Sequence, residues 1–182
     1  MICSDTNVWI DFSAIGKLEY PFRLAFEYLI YQDTFDLELQ QPETLQKDLL
    51  KYGVKVTEFT IEEFFLAAEI NSKYPPLSSF DSAALAIAKC RNIPLLTGDK
   101  ALRKAAVAEN VELIGTIKLC DLLYSQSKIT QQEYVECLRL FLNEKSGRVR
   151  LPKNELEKRI SNLSFAGIYN TLIAISLISP YL

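Results

Sequence analysis

The sequence predicts an α/β fold, a mainly parallel central sheet covered by helices on both faces, with a helical extension at the C-terminal end. Two observations carry this. Short strand-like apolar runs alternate with longer stretches whose apolar spacing is helical, the pattern of parallel strands joined by crossover helices. At 182 residues and 49% hydrophobic content, the chain is also long enough to bury one sizeable core.

The elements follow in order. MICS (1–4) reads as the first strand and YLIYQ (28–32) as the second. Phe35, Leu39, Leu45 and Leu49 recur on one face of a helix over 34–52, broken near Pro42 and ended by Gly53. VKVTEF (54–59) is the third strand. Thr60 with Glu63 forms a capping-box pattern opening a helix that Pro75 and Pro76 stop. From Ser79 to Cys90, small and apolar residues (Ala83, Ala84, Ala86, Ile87, Ala88) make a helix able to lie close against a sheet. PLLT (94–97) and VELIG (111–115) are the last strands, with helices over 99–109 and 116–127. Thr130 and Glu133 open one more helix in the same capping pattern. The basic, Gly- and Pro-containing stretch 143–155 reads as a loop. The predicted organisation is therefore a domain over 1–127 and a helical extension over 128–182.

The extension ends unusually, with no charged residue from Ile160 to Leu182. Several Asn, Ser and Thr residues interrupt this tail, so a helix docked on its own domain or on a partner is expected rather than a membrane anchor. The N-terminus lacks the basic-then-apolar layout of a signal peptide. Cys3, Cys90, Cys120 and Cys137 are widely spaced and read as buried thiols in a reducing, cytoplasmic setting. A net charge of -3 argues against indiscriminate binding to nucleic acid, although a local basic patch is compatible with it.

The sequence contains no histidine. Ser-His-Asp and Cys-His catalysis are thereby disfavoured, as is a zinc site, and no phosphate-binding G-x-x-x-x-G-K-[ST] loop occurs. What remains are carboxylates: Asp5, Glu38, Asp81 and Asp99 each follow a strand candidate or open a helix beside one. In a parallel sheet the residues just past the strand ends converge on one rim. Four acids gathered there repel one another, and a divalent cation relieves the repulsion; oxygen-only ligands suit Mg²⁺ or Mn²⁺. Thr6 and Asn7 stand where they can orient Asp5 or a metal-bound water. Asp81 and Asp99 also occupy positions typical of helix caps, and Glu38 one typical of a solvated helix face.

DTNVWIDF (5–12), LIYQDTFDLEL (29–39) and FDSAALAIAKCRNIPLLTGDKALRKAA (80–106) together resemble the PIN-domain family, and within it the small prokaryotic VapC-type proteins. The resemblance covers residues 1 to about 125, and its most specific part is the alanine-rich helix followed by a strand and the T-G-D turn. It implies a three-layer α/β/α sandwich and ribonuclease activity dependent on Mg²⁺ or Mn²⁺. It also implies homodimerisation and, often, toxin action restrained by an antitoxin protein. Carried over residue by residue, Asp5, Glu38, Asp81 and Asp99 are the catalytic and metal-holding acids and Thr97 a supporting hydroxyl. Lys89, Arg91, Lys100, Arg103 and Lys104 cluster about the late motifs as candidates for binding RNA phosphates; Arg148, Arg150 and Lys153 form a second basic group.

Two other classes compete. One is a catalytically inactive binding module of the same fold that works through a protein partner. The other is a phosphotransfer or phosphatase fold, in which an aspartate also follows the first strand; the second nearby acid that chemistry needs is replaced here by Thr6 and Asn7.

Overall fold

Five short strands, β1 (Ile2–Ser4), β2 (Tyr28–Tyr31), β3 (Lys55–Thr57), β4 (Leu95–Leu96) and β5 (Leu113–Ile114), form one sheet in the order β3-β2-β1-β4-β5. This is seen in a computed structural model that describes residues 1–163. All four strand pairings are parallel, so each connection must carry the chain back across the sheet. The returns are made by α1 (Asn7–Ala14), α2 (Gln32–Glu38), α3 (Leu45–Tyr52), α4 (Ile61–Lys73), α5 (Ser79–Cys90) and α6 (Lys100–Ala108). After β5 come α7 (Thr116–Ser125), α8 (Gln131–Asn143) and a helical stretch over 153–163.

The period-two alternation of the strands divides the apolar residues between two cores, one on each face. Ile2 and Leu96 turn toward a core containing Trp9, Phe12, Leu119 and Phe141. Their neighbours Cys3 and Leu95 turn the other way, onto Leu85, Ile87 and Leu102. The result is the expected three-layer α/β/α arrangement. Alanines 83, 84, 86 and 88 are all buried, which lets α5 lie close to the sheet. The capping boxes at Thr60 and Thr130 form, and Ser78 makes a third with Asp81.

The helix foreseen over 34–52 breaks around Pro42 as expected, giving α2 and α3, with Gly53 closing the second at φ 102°. Other expectations shift. Cys90, read as buried with the other three cysteines, is exposed at the last residue of α5. α1 was not anticipated at all. Its residues NVWIDFSA are rich in β-branched and aromatic types, poor helix formers in isolation; burial of Val8, Trp9 and Phe12 overrides that preference. The predicted loop over 143–155 is shorter, because the chain becomes helical again at 153.

Residues beyond 127 share the first core: Tyr134, Cys137, Leu138, Phe141 and Leu156 are buried in it, and Phe141 meets Phe12 edge-on at 5.4 Å. Arg159 clasps the last helical stretch to α7, donating to both carboxylate oxygens of Asp121 at 2.9 and 3.0 Å and to Glu155 at 2.7 Å. The uncharged tail is helical as far as residue 163; its expected docking otherwise concerns 164–182, which lie outside the described residues. Among the described residues no helix is long and apolar enough to cross a membrane.

Candidate functional site

The strand order reverses direction at β1. The chain builds outward through β2 and β3 on one side, then returns to place β4 and β5 on the other. Such a switch point opens a crevice beyond the carboxyl ends of the two strands that flank it. Here those strands are β1 and β4, paired Ser4 to Leu96, and the backbone N–H of Asp5 donates to the Leu96 carbonyl at 2.9 Å. Asp5 and the T-G-D turn, more than ninety positions apart in the chain, therefore meet at the centre of one rim.

Asp5 is 4% exposed and surrounded by donors. Its Oδ1 accepts the Thr6 backbone N–H at 2.6 Å; its Oδ2 accepts the Thr97 hydroxyl and the Asn7 amide, each at 2.8 Å. Thr97 is fully buried and works in both directions, since its Oγ1 also accepts the Asp99 backbone N–H at 3.0 Å. The sequence Asp99 N–H to Thr97 O–H to Asp5 thus locks the hydroxyl rotor and ties the β4 turn to the first acid. Thr97→Val leaves the Asp99 N–H without its acceptor and removes one of the three donors to Asp5. A loss of about 1–3 kcal/mol is expected, read as a lowered urea midpoint.

Glu38 is the last residue of α2 and reaches the same place through Thr6, whose hydroxyl donates to Glu38 Oε2 at 3.1 Å. Asp81 and Asp99 both cap helices. Asp81 Oδ2 accepts the Ser78 backbone N–H and hydroxyl, each at 2.8 Å, and Asp99 Oδ1 accepts the Leu102 N–H at 2.8 Å. Capping uses one oxygen of each. Asp81 Oδ1 and Asp99 Oδ2 carry no hydrogen bond among the described residues.

Burial pushes the Asp5 carboxyl from its ordinary value near 3.8 up to about 6, with the Asp81 charge adding to the rise and the donors from Thr97, Thr6 and Asn7 opposing it. Glu38 is likewise raised by burial and by Asp81, against the Thr6 hydrogen bond. Asp5 and Glu38 both feel the Asp81 charge. None of the four forms an ion pair among the described residues. Nor do any three Asp, Glu or Cys side chains among the described residues stand close enough together to hold one ion directly.

A fifth acid belongs to the neighbourhood and escaped sequence reasoning. Asp11 on α1 is 5% exposed and accepts the Thr116 hydroxyl at 2.6 Å. Burial drives its carboxyl up to about 7, countered by Thr116 and reinforced by the Asp5 charge. The signal lay in its spacing: four residues after Asn7, Asp11 shares Asn7's helix face once 7–14 is read as a helix.

The basic candidates separate into two groups. Lys89 pairs with Glu109, and Arg91 donates to Glu63 at 2.6 and 3.0 Å, to Thr57 at 3.1 Å and to the Glu58 carbonyl at 3.2 Å. Both are engaged within the fold. Lys100, Arg103 and Lys104 are exposed on α6 and line a cleft with Arg150, although Arg103 also donates to the Thr97 carbonyl at 3.3 Å.

A family model described as a PIN domain matches residues 1–164. No curated protein and no solved structure matches the chain significantly.

Proposed function

The chain belongs to the PIN-domain family, whose members are generally nucleases, and on that premise we propose that it is a divalent-metal-dependent endoribonuclease of the VapC type. The observation that carries this reading is the buried Asp5 at the β1/β4 switch point, held by three donors yet raised in pKa, with no cationic side chain among the described residues paired to it.

The donor chemistry fits Mg²⁺ or Mn²⁺, since every candidate ligand is an oxygen. Direct ligation by three acids is not required: Mg²⁺ usually keeps several waters and takes one or two carboxylates together with substrate phosphate oxygens. Asp5 with Glu38, Asp81 and Asp99 would hold such a hydrated ion. When bound, it supplies an activated water and offsets charge at the phosphate. The protein's own part is positioning: Thr97 and Asn7 fix Asp5, Thr6 brings Glu38 to it, and the helix caps hold Asp81 and Asp99 each with one carboxylate oxygen outside the cap. The test is cleavage of RNA in Mg²⁺ or Mn²⁺ by the full chain against Asp81→Asn and Asp99→Asn, with EDTA as control. Cleavage by the parent and a loss of about a hundredfold or more in the variants are expected. Equal activity in all of them would sink the proposal.

By the same family logic the protein acts in the cytoplasm as the toxin of a toxin-antitoxin pair and as a homodimer. Ile61, Phe64 and Phe65 on α4, 78%, 58% and 67% exposed, support an association surface. Sedimentation velocity on the full chain reads the oligomeric state, and an adjacent short reading frame whose product suppresses cleavage identifies the antitoxin. One observation favours a second reading, an inactive binding module: no three acids among the described residues converge as a direct metal cage. Calorimetric titration decides, because a module of that kind takes up no Mg²⁺ or Mn²⁺ specifically.

A further inference from the structure

Two clefts of about 620 and 650 Å³ open side by side and share Gly98, Lys100, Arg150 and Leu151 in their walls. One ends at Asn7, Asp11 and Asp99, beside the acids of the candidate site. The other runs away from them along α6, past Arg103 and Lys104. The outer wall of both is the segment 146–152, which crosses from α8 to the last helical stretch.

The pattern of that segment explains what it presents. Val149 and Leu151 pack against the first core, which anchors the segment to the body of the protein, while Arg148 and Arg150 remain exposed. Both line the cleft beside the acids, and Arg150 also lines its neighbour. Five cations, Lys100, Arg103, Lys104, Arg148 and Arg150, thus face one passage in a chain whose net charge is -3. Not one of them forms an ion pair among the described residues, whereas Lys89, Arg91 and Arg159 do. Among the described residues lining either cleft there is no aromatic ring.

We propose that the 146–152 segment and α6 form a groove that seats one strand of RNA by its phosphates and delivers it to the acids, with Arg148 and Arg150 as the phosphate-binding residues of the outer wall. The proposal rests on the nuclease reading and adds the course of the substrate. Cations on both walls suit a single backbone, and with no aromatic platform among the described lining residues the grip on it is mainly electrostatic.

The test is fluorescence anisotropy of a labelled single-stranded RNA with the full chain in EDTA, over about 50 to 200 mM salt. Arg148→Ala/Arg150→Ala should weaken binding roughly tenfold and lower the salt slope by about 1.4, two single-strand phosphate contacts, equally for A-rich and U-rich RNA. Arg148→Lys/Arg150→Lys should keep most of the slope, and Lys128→Ala, a control outside the groove, should keep all of it. Unchanged affinity and slope in the alanine pair would overturn the groove, as would a blunt duplex that competes as well as the single strand. The two proposals fail separately. If no divalent cation supports cleavage while Arg148 and Arg150 still set the slope, the groove stands and the nuclease reading falls. If cleavage occurs with the slope unmoved, the reverse holds.

Discussion

Asp5→Asn is expected to reduce RNA cleavage by about a hundredfold or more while making the metal-free protein more stable at pH 8. The two effects share one cause. Folding raises the Asp5 carboxyl from near 3.8 to about 6 because burial disfavours its charge, and raises Asp11 to about 7 for the same reason. For an acid whose pKa is higher folded than unfolded, stability is fullest below the unfolded value. It is lost as pH climbs through the folded one. The metal-free protein should therefore gain thermal midpoint as pH falls from 8 toward 5, with most of the change between about 7 and 4. At about 1.4 kcal/mol per unit, the Asp5 charge alone costs about 3 kcal/mol at pH 8. Asparagine removes that cost but offers one acceptor oxygen where aspartate offers two, so a net gain of about 1 kcal/mol is expected. Added Mg²⁺ should stabilise the parent at pH 8, little at pH 5, and Asp5→Asn at neither. Thermal melts at the two pH values, with EDTA and with Mg²⁺, check all of this. A flat response of the parent to pH would refute it, and so would full activity in Asp5→Asn.

Ending the chain at Ser127 should prevent folding altogether. That point closes the region with the strongest motifs, yet Tyr134, Cys137, Leu138, Phe141 and Leu156 complete the core beneath α1 and α7. At about 1.5–3 kcal/mol for each buried side chain, their removal forfeits about 10 kcal/mol, comparable to the whole stability of a typical domain. The truncated chain should be insoluble or lack a cooperative urea transition. In the full chain, Phe141→Ala should cost about 3–5 kcal/mol by opening the contact with Phe12. A truncated protein that melts cooperatively near the parent midpoint would contradict this account.

The fold was legible wherever a local pattern and the tertiary environment agreed. The alanine run of α5, the capping boxes at Thr60 and Thr130 and the apolar strand runs all reappear close to their expected positions, because each is marked by a local pattern that tertiary packing then reinforces. α1 was missed because its residues favour a strand locally and become helical only by burying Trp9 and Phe12. Missing the helix meant missing Asp11. Lys89 and Arg91 illustrate the opposite limit: their partners Glu109 and Glu63 lie twenty and twenty-eight positions away, and charge pairing at that range leaves no mark in a motif.

Acid identity, the lack of histidine and the helix-strand alternation were sufficient to indicate an α/β protein with an oxygen-lined site, because composition and short-range periodicity limit both chemistry and local backbone. Strand order was beyond their reach. That β1 lies between β2 and β4, so that Asp5, Thr97 and Asp99 share one rim, depends on which strands pair across long separations. That choice is made by burial of two cores at once and by hydrogen bonds between residues far apart in the chain. The same long-range packing sets Val149 and Leu151 against the core and turns Arg148 and Arg150 toward the cleft.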